Sequence, residues 1–222
     1  MTRATVPAAR TVDALAALCG ILAVVLSFGG FMLIGSAGFA VPPGASSDVI
    51  AKVAAREAPP LAFLGLSLDI LGSLAFLLFA ARLWGTLRRA EADPGWLSTA
   101  AFGAALLALA ASFVDKTLYH AVFTQAGHGL EAGTAAVLYA AIAASFSLFN
   151  AFVGLYLGLA AVIVLRTGVL PRWLGWLGIV VLVVAVVGVL LPASGLGFVA
   201  FPLVLVWLAS ASLLLLRRPL VA

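Results

Sequence analysis

Residues 61–84 read LAFLGLSLDILGSLAFLLFAARLW, an apolar run in which the only polar side chains are Ser67, Asp69, Ser73 and Arg82. Its length passes the roughly 20 residues with which a helix crosses a ~30 Å hydrocarbon core. A membrane β-strand would instead show about ten residues of alternating apolar and polar positions, and no such alternation occurs. The rest of the chain has the same character. Its 222 residues are 65% hydrophobic and 9% charged, where a soluble domain carries roughly 25% charged residues. The mean hydropathy is +1.25. These values exclude an ordinary soluble domain. They predict an all-α polytopic membrane helical bundle, folded as a single integral membrane domain over 1–222. The single cysteine, Cys19, excludes an internal disulfide.

Six transmembrane helices are expected, at 14–40, 61–84, 96–125, 134–165, 173–191 and 198–216, with Pro and Gly punctuating nearly every break. Arg3, Arg10, Arg82, Arg88, Arg89, Arg166, Arg172, Arg217 and Arg218 flank the ends that share one side, against Lys52 and Arg56 on the other. By the positive-inside rule the N- and C-termini are therefore expected to be cytoplasmic. Trp84, Trp96, Trp173 and Trp176 gather at the same boundary, as interfacial anchors do. The first span far exceeds the roughly 7–15-residue apolar core of a cleaved signal peptide, so it is read as a membrane helix. In the first outer loop, Ser46 or Ser47 is placed to start a short amphipathic helix with Val49, Ile50 and Val53 on its apolar side. This segment is either a plain connector or a lid over a pocket.

The polar side chains inside the spans follow a pattern. In SFVDKTLYHAVF (112–123), residues Ser112, Asp115, Lys116, Tyr119 and His120 fall on one arc at about 100° per residue. That arc continues through Ala101, Ala104, Ala105 and Ala108. On the second span Asp69 and Ser73 share a face with Gly65 and Gly72, and on the fourth Tyr139, Ser147 and Asn150 share one with Gly154 and Ala161. The first span offers Ala16, Gly20, Ala23, Ser27 and Gly30. Small residues let helix backbones approach closely in lipid, so these faces should look into the bundle. The fifth span, rich in Val and Leu, should face mostly lipid. At ~1.5 Å per residue, Asp69 lies ~22 Å above Trp84, Asp115 ~28 Å above Trp96 and Asn150 ~24 Å above Arg166. One polar layer is expected, in the outer half of the membrane, with His120 at headgroup height.

A charge in mid-membrane costs about 2.5–3.5 kcal/mol on insertion scales, so it needs a partner. Asp115 and Lys116 point about 100° apart and serve each other poorly. Asp69, on the neighbouring helix, is the better partner. The candidate ligand or proton site is therefore Asp69, Asp115, Lys116, Tyr119, His120, Tyr139 and Asn150, in a pocket opening outward between the first four spans. The alternative is a structural pin, with Asp69 and Lys116 simply tying two helices together.

No cofactor is indicated and no metal centre: His120 and His128, with Asp115 and Glu131, follow no ligand spacing. There is no Walker loop, dinucleotide fingerprint or nucleophile elbow. The Gly-x-Gly-Asp signature of intramembrane aspartic proteases is missing at Gly65-Leu66-Ser67-Leu68-Asp69. The net charge of +4 is accounted for by topology, so no nucleic acid is expected as a partner. The partners expected are the lipid bilayer and a small-molecule or ion ligand.

One segment carries a resemblance. RTGVLPRWLGWLGIVV (166–181) resembles a recurrent late-helix turn of the uncharacterised bacterial family known as domain of unknown function 4386, whose members are similar in length and have about six spans. The resemblance implies a multi-pass protein of the bacterial plasma (inner) membrane and supplies no activity. Read on its own, Gly168 ends one helix, Pro171 starts the next, and Arg172 with Trp173 anchors the interface. Three functions stay open. The protein binds or passes a small molecule or ion; or it is a membrane enzyme on a lipid-like substrate, with Asp115 and His120 as acid–base groups; or it is an accessory subunit of a membrane complex.

Overall fold

A computed structural model describes residues 6–42, 44–191 and 196–217. The basic residues Arg3 and Arg218, and most of the PASGLG connection, lie outside them. The described residues form seven α-helices and no strand: α1 (Val6–Ser36), α2 (Ser47–Ala54), α3 (Pro60–Glu91), α4 (Trp96–Gln125), α5 (Ala132–Thr167), α6 (Arg172–Leu190) and α7 (Leu196–Arg217). All except α2 are long and apolar enough to cross a membrane. The shortest, α6 with 19 residues, rises ~28 Å, close to the hydrocarbon thickness. This is an integral membrane helical bundle.

The six long helices close a ring in chain order, each packing on the next and α7 returning to α1. Short connections make sequential antiparallel helices natural neighbours. In addition α5 leans inward to touch α3 and α7, and it is the most buried span. The outer surface of the ring is a continuous coat of exposed Leu and Val, including Val25, Leu71, Leu107, Val183 and Val206. A soluble monomer does not expose apolar surface on that scale, whereas lipid solvates it at no cost.

Small residues set where backbones meet. A methyl group built on Gly30 would lie 2.5 Å from the Gly65 carbonyl oxygen and 2.9 Å from the Asp69 backbone nitrogen, so α1 and α3 cross in direct backbone contact. Gly154 and Gly158 do the same service for α6, facing Ala185 and Leu182. The fifth span is mostly exposed, as expected, with Leu174, Gly175, Gly178, Val181, Ala185 and Gly188 as its buried stripe.

The interior has two cores. One fills the ring from its middle to one end, around Phe79, Leu83, Leu87, Leu157, Leu174 and Trp207. We call this end the floor. Here Asp13 pairs with Arg82 at 3.2 Å, and the Trp207 indole donates to the Leu174 carbonyl. Ser212 on α7 donates to the Ala17 carbonyl on α1, which closes the ring. The second core caps the opposite end, where α2 lies across the helix ends and buries Ile50, Val53 and Ala54 against Phe39, Phe123, Ala126 and Ala135. Val49, expected on the same buried side, is exposed.

The first span ends earlier than expected. The helix stops at Ser36 rather than reaching residue 40, because Gly38 adopts the left-handed conformation at φ 73° that suits glycine. The Arg56 guanidinium then donates to the carbonyls of Ala37 and Gly38 at 2.7 and 2.6 Å and lies over the Phe39 ring. This frees residues 39–42, 44 and 45 from the helix and makes them, with α2, the roof.

Candidate functional site

Between the two cores lies a cavity of about 700 Å³. It is lined by α1, α3, α4, α5 and α7, with Ala40, Val41, Pro42, Gly44 and Ala45 of the roof segment and Ile50 of α2 at the roof end. The pocket foreseen between the first four spans thus has a further wall, from α7: Phe198, Phe201, Val204, Leu205 and Leu208. None of these carries a polar group, so nothing in the sequence pattern marked that helix as inward-facing. No lining residue comes from α6.

The polar wall is built by α3 and α4. Lys116 is buried, 5% exposed, and its ammonium sits 3.0 Å from the Asp69 carboxylate on the neighbouring helix. It also donates to Ser112 Oγ at 2.6 Å, one turn back on its own helix. Ser112 Oγ in turn lies 3.4 Å from Ser73 Oγ, which donates to the Asp69 carbonyl at 3.0 Å. Donors and acceptors therefore form a chain that ends on backbone: Lys116 to Ser112, Ser112 to Ser73, Ser73 to Asp69. The Coulomb attraction of the ion pair is strong in this poorly solvated place, and the serines supply the remaining hydrogen bonds that such a pair requires.

Asp115 is left out of this chain. It lines the same cavity, yet its Oδ1 is buried with no hydrogen-bond partner. Lys116 points away from it to Asp69, as the angular separation of adjacent helical residues requires. The polar wall therefore holds two carboxylates and one ammonium. A buried polar atom without a partner is costly, and a donor brought in by a bound group would satisfy it.

Tyr119 and Tyr139 also line the cavity. The Tyr139 hydroxyl donates to the Phe39 carbonyl at 3.2 Å, fastening the roof segment to α5. The two remaining candidates lie elsewhere. His120 is exposed on the outside of α4, with its ring 6.3 Å from that of Phe63. Asn150 is buried at 1% exposure, but its amide donates to the Phe146 carbonyl of its own helix, and it sits one turn before Gly154 on the stripe that meets α6. Its height was suitable; its rotation about the α5 axis was not.

Ser27, placed by the sequence on the inward face of the first span but left out of the candidate site, lines the cavity from α1, and the role of Arg56 was not foreseen. Ser27 lies on the small-residue face of its helix. Arg56 is an isolated cation on the side poor in basic residues, which is the signal that could have singled it out. Among the described residues no group of three or more His, Cys, Asp or Glu is placed to hold a metal ion.

Fold and site together define a class: a six-span helical membrane protein with a roofed internal cavity and one charged wall. Comparison goes no further, since no family model, curated protein or solved structure matches this chain.

Proposed function

We propose that this protein binds a small molecule in its internal cavity, with Asp69, Asp115 and Lys116 as the polar contact. The observation that carries the reading is the partnerless Asp115 oxygen, held beside a satisfied ion pair in a mostly apolar chamber. A cavity of about 700 Å³ falls within the roughly 300–1,000 Å³ of drug-sized ligand sites, which are mostly apolar with a few placed polar groups. The packed floor supports binding over passage, because Phe79, Leu83 and Trp207 are fully buried beneath the chamber. An Asp115–His120 acid–base pair finds no support, since His120 lies outside the cavity. Neither does an accessory role for the glycine faces, since Gly30, Gly65, Gly154 and Gly158 are used up within the chain.

The same proposal sets the protein in the plasma membrane of a bacterium, roof outward and termini in the cytoplasm. The arginines at the floor end support that orientation, among them Arg82, Arg88, Arg89, Arg166 and Arg172, together with the exposed tryptophans Trp96, Trp173 and Trp176. The turn at 166–181 supports kinship with domain of unknown function 4386.

Native mass spectrometry of protein released from lipid nanodiscs tests the binding reading. Wild-type protein should carry a small-molecule mass that Ala143→Trp, which fills the cavity from α5, no longer carries. Bare wild-type protein, or an adduct retained in Ala143→Trp, would contradict it.

A further inference from the structure

The cavity walls differ in chemistry. The α3 and α4 side carries Asp69, Ser73, Ser112, Asp115 and Lys116. On the opposite side stand four phenylalanines, Phe31 of α1, Phe146 of α5, and Phe198 and Phe201 of α7, all lining the cavity. Their ring centroids lie 5.9 Å apart for Phe31 and Phe201, 5.5 Å for Phe146 and Phe198, and 6.2 Å for Phe146 and Phe201. Phe198 is 46% exposed and the other three are partly exposed, so these rings are less tightly packed than the buried core.

The roof, by contrast, is tied down. Arg56 holds the Ala37 and Gly38 carbonyls, Tyr139 holds the Phe39 carbonyl, and the Gly127 amide donates to the Ala54 carbonyl at the end of α2. Opening the roof breaks several hydrogen bonds. Opening the phenylalanine wall needs side-chain rotation and breaks none.

Charge then selects the ligand. Lys116 is spent on Asp69 and Ser112, which leaves Asp115 as a second carboxyl group on the polar wall with no cation of its own. The free acceptor is Asp115 Oδ1, with the ring of Tyr119 one helical turn away on the same face, a placement that suits a cation. The remaining walls are mostly hydrocarbon, Phe76, Val153, Val204 and Leu208 among them.

Building on the proposal that the cavity is a binding site, we infer that its ligand is a single-chain amphiphile with a protonated amine head. The head hydrogen-bonds Asp115, the chain lies against the α5 and α7 side chains, and entry is lateral, from the bilayer, through the four phenylalanines. A hydroxyl head donates a hydrogen bond to Asp115 without a positive charge behind it, and an anionic head is repelled, which sets the order of affinity among tail-matched ligands.

Equilibrium binding of radiolabelled decylamine, decanol and decanoate to protein in zwitterionic phospholipid nanodiscs, with empty nanodiscs subtracted, tests this. Decylamine should bind saturably and about tenfold or more tighter than the other two, the effect of one charge-assisted hydrogen bond. Asp115→Asn should weaken decylamine by a similar factor while decanol binding changes little. Phe201→Ala should speed exchange of bound decylamine severalfold. Equal binding of the three ligands, or unchanged decylamine binding in Asp115→Asn, overturns the amine while leaving the cavity a binding site. An unchanged exchange rate in Phe201→Ala overturns lateral entry. If none of the three binds, the amphiphile is refuted, and the adduct measurement in wild type and Ala143→Trp decides separately whether the cavity reading falls with it.

Discussion

Lys116→Met destabilises the protein by about 3–5 kcal/mol, the cost of removing one partner from a buried ion pair. The methionine keeps the unbranched stem that the site already packs around, so loss of the charge dominates. Asp69 is then left in the cavity wall without its cation, and Ser112 loses its donor. Thermal unfolding in detergent, followed by tryptophan fluorescence, reads the effect. Adding Asp69→Asn should restore most of the lost stability, because a neutral pair leaves no uncompensated charge. The interaction between the two changes isolates the ion pair from their separate packing effects. Simple additivity of the two losses would mean that the 3.0 Å contact contributes nothing.

Gly30→Leu should be still more disruptive, to the point that folded, monodisperse protein is not recovered. Overpacking usually costs about 1–3 kcal/mol because neighbouring side chains shift to make room. Here the obstacle is backbone, the Gly65 carbonyl and the Asp69 amide, and backbone cannot rotate aside. The only response is separation of α1 from α3, the most extensive helix pair in the bundle. Asp69 belongs to the same crossing, so the polar wall is lost with it. Gly29→Leu is the control: nothing lies within 4 Å of its added carbon, and its folding should be unaffected. Size-exclusion chromatography of both variants separates the outcomes. Equal recovery would show that α1 and α3 do not cross at Gly30.

How much of this the chain announced differs from element to element. The six spans were plain because lipid imposes one rule over some twenty consecutive residues. The meeting of Asp69 with Lys116 was legible for a related reason. Both lie on small-residue faces at similar depth, and a bare charge in hydrocarbon needs a partner. Depth arithmetic failed for Asn150 because it carries no information on which neighbour a face meets. The glycines at 154 and 158 turned out to serve α6 rather than the interior. The contribution of α7 left no trace, since an apolar residue facing a cavity and one facing lipid look alike in sequence. The roof depended on Gly38 ending α1 early and on Arg56 capturing the freed carbonyls, a contact between residues eighteen and nineteen positions apart. Such a contact has no local signature.

The central claim is that α3 and α4 present one continuous polar wall to an internal cavity, and a cross-link tests it most directly. Ser73 and Ser112 stand on the two helices with their hydroxyl oxygens 3.4 Å apart, near enough for a disulfide once both are cysteines. In a Cys19→Ala background, Ser73→Cys with Ser112→Cys should oxidise in the membrane to an intramolecular disulfide, seen as loss of two hydrogens in the intact mass and protection from alkylation. Two free thiols, alkylated independently after oxidation, would show that the serines do not meet and that the polar wall does not exist as described.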